Sequence, residues 1–285
     1  MKPRARQLRL ALVCARCVPG EIELNLANHE RWIHRAVEAG VDFVGFPECS
    51  LTGYELKAEH AVPLANAAVQ RLGALARRFR CHLAAGLIER RGVHFFNTHV
   101  LFGPQGQVDV TRKINLTRNE SRFFRCGNQL AVFQVRDCKL GIAICADATY
   151  FETIRVLAWQ GAEVIFSPHA TYLKGTPRSW ISWRMERWSP YARDTVCALA
   201  GCNNAGLGTS RDFAGGALAI DHTGAMAARS RPVVNRETML RVDLDLADLP
   251  GRRRQSVFYQ EFQARRFYSN KMLRVARGPC RIKTP

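Results

Sequence analysis

The chain has 285 residues, 47% of them apolar and 23% charged, and carries a formal net charge of +18 at pH 7. These values describe an ordinary globular protein with a sizeable core, in one large α/β domain or two small ones. No apolar run approaches the roughly 18 residues of a membrane span, and the basic residues are spread out instead of forming a block with interleaved aromatics, so neither a membrane helix nor nucleic-acid binding is expected.

The basic N-terminal segment leaves only LALVCA between Arg9 and Arg16. That is short for a signal-peptide core, so the expected compartment is the cytoplasm. Residues 8–14 and 41–46 are short apolar runs bounded by polar or turn residues, hence strands. Between them Ile22, Leu26, Ile33 and Val37 recur at helical spacing, with Gly40 as the stop. Leu64, Ala68, Leu72, Leu75 and Phe79 mark a second amphipathic helix, followed by the strand CHLAAGLIE. Residues 97–103 and 107–112 flank GPQGQ as a hairpin. Strands at 131–136 and 139–145 follow, then a helix over 151–160 that ends at Gly161, then the strand AEVIFSP. The helical stretch 178–196 is interrupted by Pro190, which predicts two pieces. Strands at 197–202, 215–221 and 237–243 complete the core. From 250 onward the sequence turns basic and irregular, so a domain over 1–249 and a C-terminal extension over 250–285, packed on the domain or on a partner subunit, are expected.

Ten cysteines lie scattered in mostly apolar surroundings, and most read as small buried hydrophobes of a reducing compartment. One spacing suggests otherwise: Cys14-x2-Cys17-x11-His29-x4-His34, close to a two-Cys, two-His zinc finger. The alternative is a core strand, a Pro-Gly turn and an amphipathic helix with both histidines at its surface. Cys14 completes an apolar run, which favours that alternative, and no metal is expected.

Three other segments share one form, an apolar strand that ends on a chemically able residue. VDFVGFPE delivers Glu48, VDVTRK delivers Lys113 with Glu120 seven residues later, and KLGIAIC delivers Cys145. Strand ends are where α/β sheets present catalytic groups. A thiol near pKa 8.5 is only partly ionised at pH 7; a neighbouring ammonium favours the thiolate, and a carboxylate can take the thiol proton and hand it to a leaving amine. The ammonium and the N–H of Ala146 can also hold the oxyanion of a tetrahedral intermediate.

With these residues the sequence resembles the nitrilase, or carbon–nitrogen hydrolase, superfamily over roughly residues 8–245. Three signatures appear in order: FPECSLTGYE, RKINL…E…FFRCGNQLAVF and GIAICADATYFETIRVLAWQGAEVIFSP. The resemblance implies a four-layer α-β-β-α sandwich that pairs into a homodimer or larger homo-oligomer, without a cofactor. It implies Glu48 as general base, Lys113 as oxyanion stabiliser, Cys145 as nucleophile and Glu120 as an orienting glutamate. SPYARDTVCALAGCNNAG and GGALAIDHTGAMAA also resemble family segments, which implies His169 and Asn203 at strand ends near the pocket and Tyr54 close to Glu48.

The chain departs from the family pattern at three places. Asn115 stands where histidine is common, Ala146 where an aromatic follows the nucleophile, and Phe151 where proline precedes the distal glutamate. Small Ala146 implies a roomier pocket near Cys145. The expected function is thiol-dependent hydrolysis of a small amide or N-carbamoyl compound. Nitrile hydrolysis by the same site, or an inactive basic scaffold on the hydrolase fold, are the alternatives. The surplus of arginine fits an anionic substrate, such as a carboxylate-bearing amide, and fits the basic tail equally well.

Overall fold

The computed structural model describes residues 6–207, 212–231 and 234–260. The first half of the chain runs β1 (Gln7–Cys14), α1 (Ile22–Glu38), β2 (Phe43–Gly45), α2 (Ala67–Phe79), β3 (His82–Arg91), β4 (His94–Phe102) and β5 (Val108–Arg112). The second runs β6 (Val132–Val135), β7 (Cys138–Ile142), α3 (Phe151–Trp159), β8 (Val164–His169), α4 (Pro177–Thr195), β9 (Ala198–Asn203), β10 (Ala217–Ile220), β11 (Met226–Arg229), β12 (Thr238–Asp245), α5 (Leu249–Gln255) and α6 (Val257–Gln260).

Each half builds a mixed sheet around three parallel strands. One sheet has the order β12-β1-β2-β3-β4-β5 and the other β11-β10-β9-β8-β7-β6. β1, β2 and β3 are parallel through the crossovers α1 and α2; β7, β8 and β9 are parallel through α3 and α4. The remaining neighbours are antiparallel, with β12 returning to close the first sheet against β1.

The inner strands read as unbroken apolar runs because both of their faces are covered. Leu8, Leu10, Leu12 and Cys14 of β1 face a core shared with Leu140, Ile142, Phe166 and Ala200 of the opposite sheet. The alternate residues Ala11 and Val13 face outward onto Leu26 and Ile33 of α1 and Leu72 of α2. The second sheet buries Ile165 and Leu199 against Leu157 of α3 and Trp188 of α4. Helices, sheet, sheet and helices therefore stack as four layers, an α-β-β-α sandwich. Each fully buried leucine contributes about 1.5–3 kcal/mol to holding the layers together.

Four features differ from the sequence expectation. Residues 177–195 form one helix, with Pro190 inside it and Pro177 at its first turn. Pro190 removes one backbone donor, but Trp188 and Ala192 on either side are fully buried, and their packing offsets the lost bond. His29 is buried, not at the surface: Nδ1 lies 2.6 Å from the Asn25 carbonyl and Nε2 lies 3.0 Å from Ser50 Oγ. Its supposed zinc partner Cys14 lies in the inter-sheet core, as the strand reading expects, and burial there pushes its thiol up to about 11. The short strand β11, with three of its four residues exposed, carries too little apolar pattern to be read from sequence.

The fourth difference concerns the C-terminal arm. The boundary drawn at 249/250 falls inside α5, whose Leu249 and Arg253 are buried. Arg253 donates to the carbonyls of Ala162, Val196 (3.2 Å) and Gly161 (3.4 Å), and its guanidinium lies 4.6 Å from the Tyr259 ring. These carbonyls lie just past α3 and at the C-cap of α4, so one side chain ties together the exits of two helices. Residues 261–285 lie outside the described residues. Arg253→Ala removes a donor from all three carbonyls and leaves Ala162 only the Cys197 thiol at 3.0 Å, and we expect it to lower unfolding free energy by about 2–4 kcal/mol in urea titrations. Among the described residues, no helix is long and apolar enough to cross a membrane.

Candidate active site

The parallel strands of both sheets end on the same side of the sandwich, and the loops beyond them converge. Glu48 lies three residues past β2, in a loop pressed onto β3 at Gly86. A Cβ at Gly86 would stand 2.4 Å from the Cys49 nitrogen, so only glycine admits the loop. Leu51 N–H donates to the Gly86 carbonyl (2.8 Å), and Gly86 N–H donates to Ser50 Oγ (3.1 Å). Beneath the loop, buried His29 braces Ser50, and burial holds the ring neutral by lowering it to about 4.

Lys113 directly follows β5. Its N–H donates to the Asn97 carbonyl on β4 (2.8 Å), and its carbonyl accepts from Gly127 N–H (2.7 Å). Gly127 is required there, since a Cβ would lie 2.2 Å from the Arg112 oxygen. Glu120 opens a short turn and accepts from Thr117 N–H at Oε2 (2.9 Å).

These supports bring three charged side chains together in the interior. Lys113 Nζ donates to Glu48 Oε1 and to Glu120 Oε1, both at 2.7 Å, and all three residues are buried. Asn97 Nδ2 bridges the same two oxygens at 2.7 and 3.2 Å, while its Oδ1 faces the Cys49 thiol at 3.6 Å. Ala170 N–H donates to Glu48 Oε2 (2.8 Å). Burial alone would lower the Lys113 ammonium, but the Glu48 and Glu120 carboxylates hold it well above the ordinary lysine value. Burial would likewise raise the Glu120 carboxyl, yet Lys113 and the Thr117 N–H hold it below the usual carboxylate range. An ammonium has three donors, so one remains for a ligand.

Cys145 ends the chain segment after β7 in a left-handed backbone conformation, φ 51°. That conformation costs a non-glycine residue about 1–2 kcal/mol, and it turns the thiol out of the sheet into a short helical turn over Cys145–Thr149. Ala146 N–H lies in the first turn of that segment, where amides lack an intrahelical acceptor. Burial, then the Glu48 charge, push the Cys145 thiol up to about 12, against the pull of Lys113 and Arg184. The thiol is therefore protonated at rest and needs a base at the moment of attack. Its neighbour is Thr171, with Oγ1 at 3.8 Å from Sγ.

Asp147 ties the cysteine turn to the lysine segment. It accepts from Asn115 N–H (2.7 Å), Asn115 Nδ2 (3.0 Å), Ile114 N–H (3.2 Å) and Ile144 N–H (3.2 Å). Burial pushes its carboxyl up to about 6 in spite of these donors. Asn115, at the position where histidine is common, thus supplies two of the bonds that hold the two halves of the site in register.

Tyr54 packs edge-on against Tyr172 (6.4 Å) and Phe213 (6.5 Å), and burial and Glu48 raise its hydroxyl well above the ordinary tyrosine value. The structure places His169 and Asn203 behind the pocket wall. His169 Nδ1 accepts from Arg184 (3.0 Å) and its Nε2 donates to Ser167 Oγ (2.9 Å), which itself donates to the Ala143 carbonyl. Both ring nitrogens are occupied, and burial with the Arg184 charge keeps the ring neutral. Asn203 pairs with the backbone of Thr171 through Oδ1 (2.8 Å) and Nδ2 (3.1 Å), so it positions the residue beside the thiol. Asn97, Thr171 and Arg184 do not stand out in the sequence, and Asp147 shows there only as a carboxylate two residues after Cys145; each contributes through partners far along the chain. Next to Thr171 opens a cleft of about 380 Å³ walled by Tyr172, Trp180, Trp183 and Ala214, with Lys174 on its lining.

A thiol, a carboxylate base, an ammonium with a spare donor and a free amide at one strand-end cluster are equipped for nucleophilic attack on a polarised carbon–nitrogen group. The chain is similar to omega-amidase NIT2 of Xenopus tropicalis, 26% identical over 267 residues that cover 87% of this chain and 92% of that one. It is 31% identical over 166 residues to a nitrilase of Pyrococcus abyssi, a match that spans 56% of this chain and 63%, less than two thirds, of the nitrilase. Among solved structures, an amidase of the nitrilase superfamily from Nesterenkonia AN1 superposes with a TM-score of 0.75 at 25% identity, over 89% of this chain and 97% of the amidase. The Carbon-nitrogen hydrolase family model matches residues 6–254. The chain belongs to the carbon–nitrogen hydrolase family.

Proposed function

We propose that the protein is a thiol-dependent hydrolase of a small amide or N-carbamoyl compound, with Cys145 as nucleophile. The observation that carries this reading is the buried Lys113 ammonium shared by Glu48 and Glu120 beside the Cys145 thiol, whose ionisation all three charges influence. Glu48 takes the thiol proton as Sγ attacks the carbonyl carbon. The carbonyl π electrons move to oxygen, and that oxyanion is held by the spare Nζ–H of Lys113 and the Ala146 N–H. Collapse breaks the C–N bond, and Glu48 returns the proton to the departing ammonia or amine. The thioester is then hydrolysed by water that gives its proton to Glu48, releasing the carboxylic acid and the thiol. Glu120 and Asn97 hold Glu48 and Lys113 at their working separation. An amide is preferred to a nitrile because two relatives matched over nearly their whole length, one by sequence and one by structure, are named amidases. The same reading includes a cytoplasmic homo-oligomer without a cofactor.

Brief treatment with limiting iodoacetamide near neutral pH, followed by peptide mapping, tests the nucleophile. Seven of the eight free cysteines among the described residues are buried, and Cys145 is the partly exposed one. We expect Cys145 to label ahead of the others, and Glu48→Gln to slow that labelling because the thiol loses its base. Equal labelling in both proteins, or an inert Cys145 in folded protein, contradicts the reading. Ammonia release from a panel of small amides then identifies the substrate.

A further inference from the structure

Two residues past β8, Thr171 stands between the base and the nucleophile. Ala170 N–H donates to Glu48 Oε2 (2.8 Å), and one residue further on Thr171 Oγ1 lies 3.8 Å from Cys145 Sγ. The Thr171 backbone is held at three points. Its N–H donates to Asn203 Oδ1 (2.8 Å), and its carbonyl accepts from Asn203 Nδ2 (3.1 Å) and from Ala214 N–H (3.0 Å). Asn203 is fully buried and ends β9, paired with His169 of β8, so the clamp belongs to the sheet and not to a loop. With both backbone groups used, the hydroxyl is the polar group that Thr171 has left. It sits on the lining of the cleft walled by Trp180 and Trp183, and among the described residues Sγ is its hydrogen-bond partner.

A hydroxyl can donate to sulfur or accept from it. An S–H turned toward Thr171 would be lost to Glu48. With the hydroxyl as donor, the S–H is left for Glu48, and the contact strengthens as the sulfur becomes anionic, since hydrogen bonds to a charged acceptor are roughly twice as strong as neutral ones. The charges that act on the same sulfur are Glu48 and Glu120, which oppose its ionisation, and Lys113 and Arg184, which favour it. Lys113 gives two donors to the carboxylates, and Arg184 gives one to His169. In the hydrolase reading the third donor of Lys113 goes to the oxyanion, so a donor for the sulfur itself has to come from elsewhere. We propose, building on that reading, that Thr171 is a catalytic residue whose Oγ1–H donates to Cys145 Sγ and stabilises the thiolate at the moment of attack. The thiol proton goes to Glu48 and Thr171 keeps its own, so no bond to the threonine forms or breaks. Once acylated, the sulfur is neutral and a weak acceptor, which confines the stabilisation to the ionised nucleophile.

The test measures the second-order rate of Cys145 alkylation by iodoacetamide at pH 7.5, read by peptide mapping. Thr171→Val keeps the shape of the side chain and removes the hydroxyl. It should slow alkylation by about 3- to 10-fold: the lost bond to a charged acceptor costs roughly tenfold in thiolate population, and the more basic thiolate regains part of that in nucleophilicity. Thr171→Ser returns the hydroxyl without the methyl group and should restore most of the rate, which a packing role would not allow. Thr171→Ala replaces the valine variant if that one does not fold. Because Ala170 touches Glu48, the substitution is repeated in Glu48→Gln, where the same factor should persist. A valine variant as fast as wild type, or a serine variant as slow as valine, overturns the proposal. So does a valine effect that vanishes in Glu48→Gln, which would mean that the segment acts through the base. An inert Cys145 in folded wild-type protein would instead remove the hydrolase reading, and with it this one.

Discussion

Cys145→Ala is expected to lower kcat/KM for any substrate amide by at least roughly 10⁴-fold, because the other thiol near the site, Cys49, is fully buried and faces Asn97. Stability should hardly change, since the side chain removed is small. Cys145→Gly separates the two roles of the position. It is equally inactive, but it relieves a left-handed conformation of φ 51°, so its unfolding free energy should exceed that of Cys145→Ala by about 1 kcal/mol. Steady-state ammonia release and urea titration of the two variants check both statements. A glycine variant no more stable than the alanine variant would mean that the turn at Cys145 holds no strain. Substantial turnover in either variant would mean that the nucleophile lies elsewhere.

Lys113→Met has the largest expected effect on stability. It leaves Glu48 and Glu120 buried side by side, linked by Asn97, with their cation gone. Breaking a buried ion pair by removing one partner costs about 3–5 kcal/mol. The pH dependence follows from the direction of each shift. In wild type the Glu120 pKa is depressed in the folded state, so its contribution is present above the unfolded value near 4.3 and is lost as pH falls. Without Lys113 at least one of the two carboxyls must bind a proton in the folded state, so the shift reverses. The variant is then least impaired in acid and loses stability as pH rises above roughly 4.3. The gap between wild type and Lys113→Met should therefore be widest at pH 7.5 and narrow at pH 4.5 in paired urea titrations. A gap independent of pH would show that packing, and not charge, is what Lys113 supplies. Turnover should also fall by about 10²–10³-fold, the usual effect of removing one oxyanion donor.

Much of this arrangement is legible in one dimension. The strand-end residues Glu48, Lys113 and Cys145 stand out because an apolar run stops at each, and Glu120 follows Lys113 within one loop. The residues that complete the site leave no such mark. Asn97 sits in β4, where a polar residue in an alternating strand looks like a solvent-facing position; it is buried because the loop of Glu48 covers it. Asp147 is visible next to Cys145, yet its work is done on backbone amides 32 and 33 residues earlier. Arg184 reads as one more arginine on an amphipathic helix until Trp180, Trp183 and His169 close around it. Arg253 is hidden in a run of three arginines, of which it alone is buried.

Local physics, apolar period and strand-to-loop transitions with glycine stops, was enough to determine the α/β alternation and the residues able to do thiol chemistry, and the ordered signatures carried the four-layer class. Which polar groups are buried, and which partners they find there, was decided only when two sheets closed on each other. Within the site, burial and hydrogen bonding join chain segments as far as 122 residues apart, as between Glu48 and the Ala170 amide, and no window of sequence carries that distance.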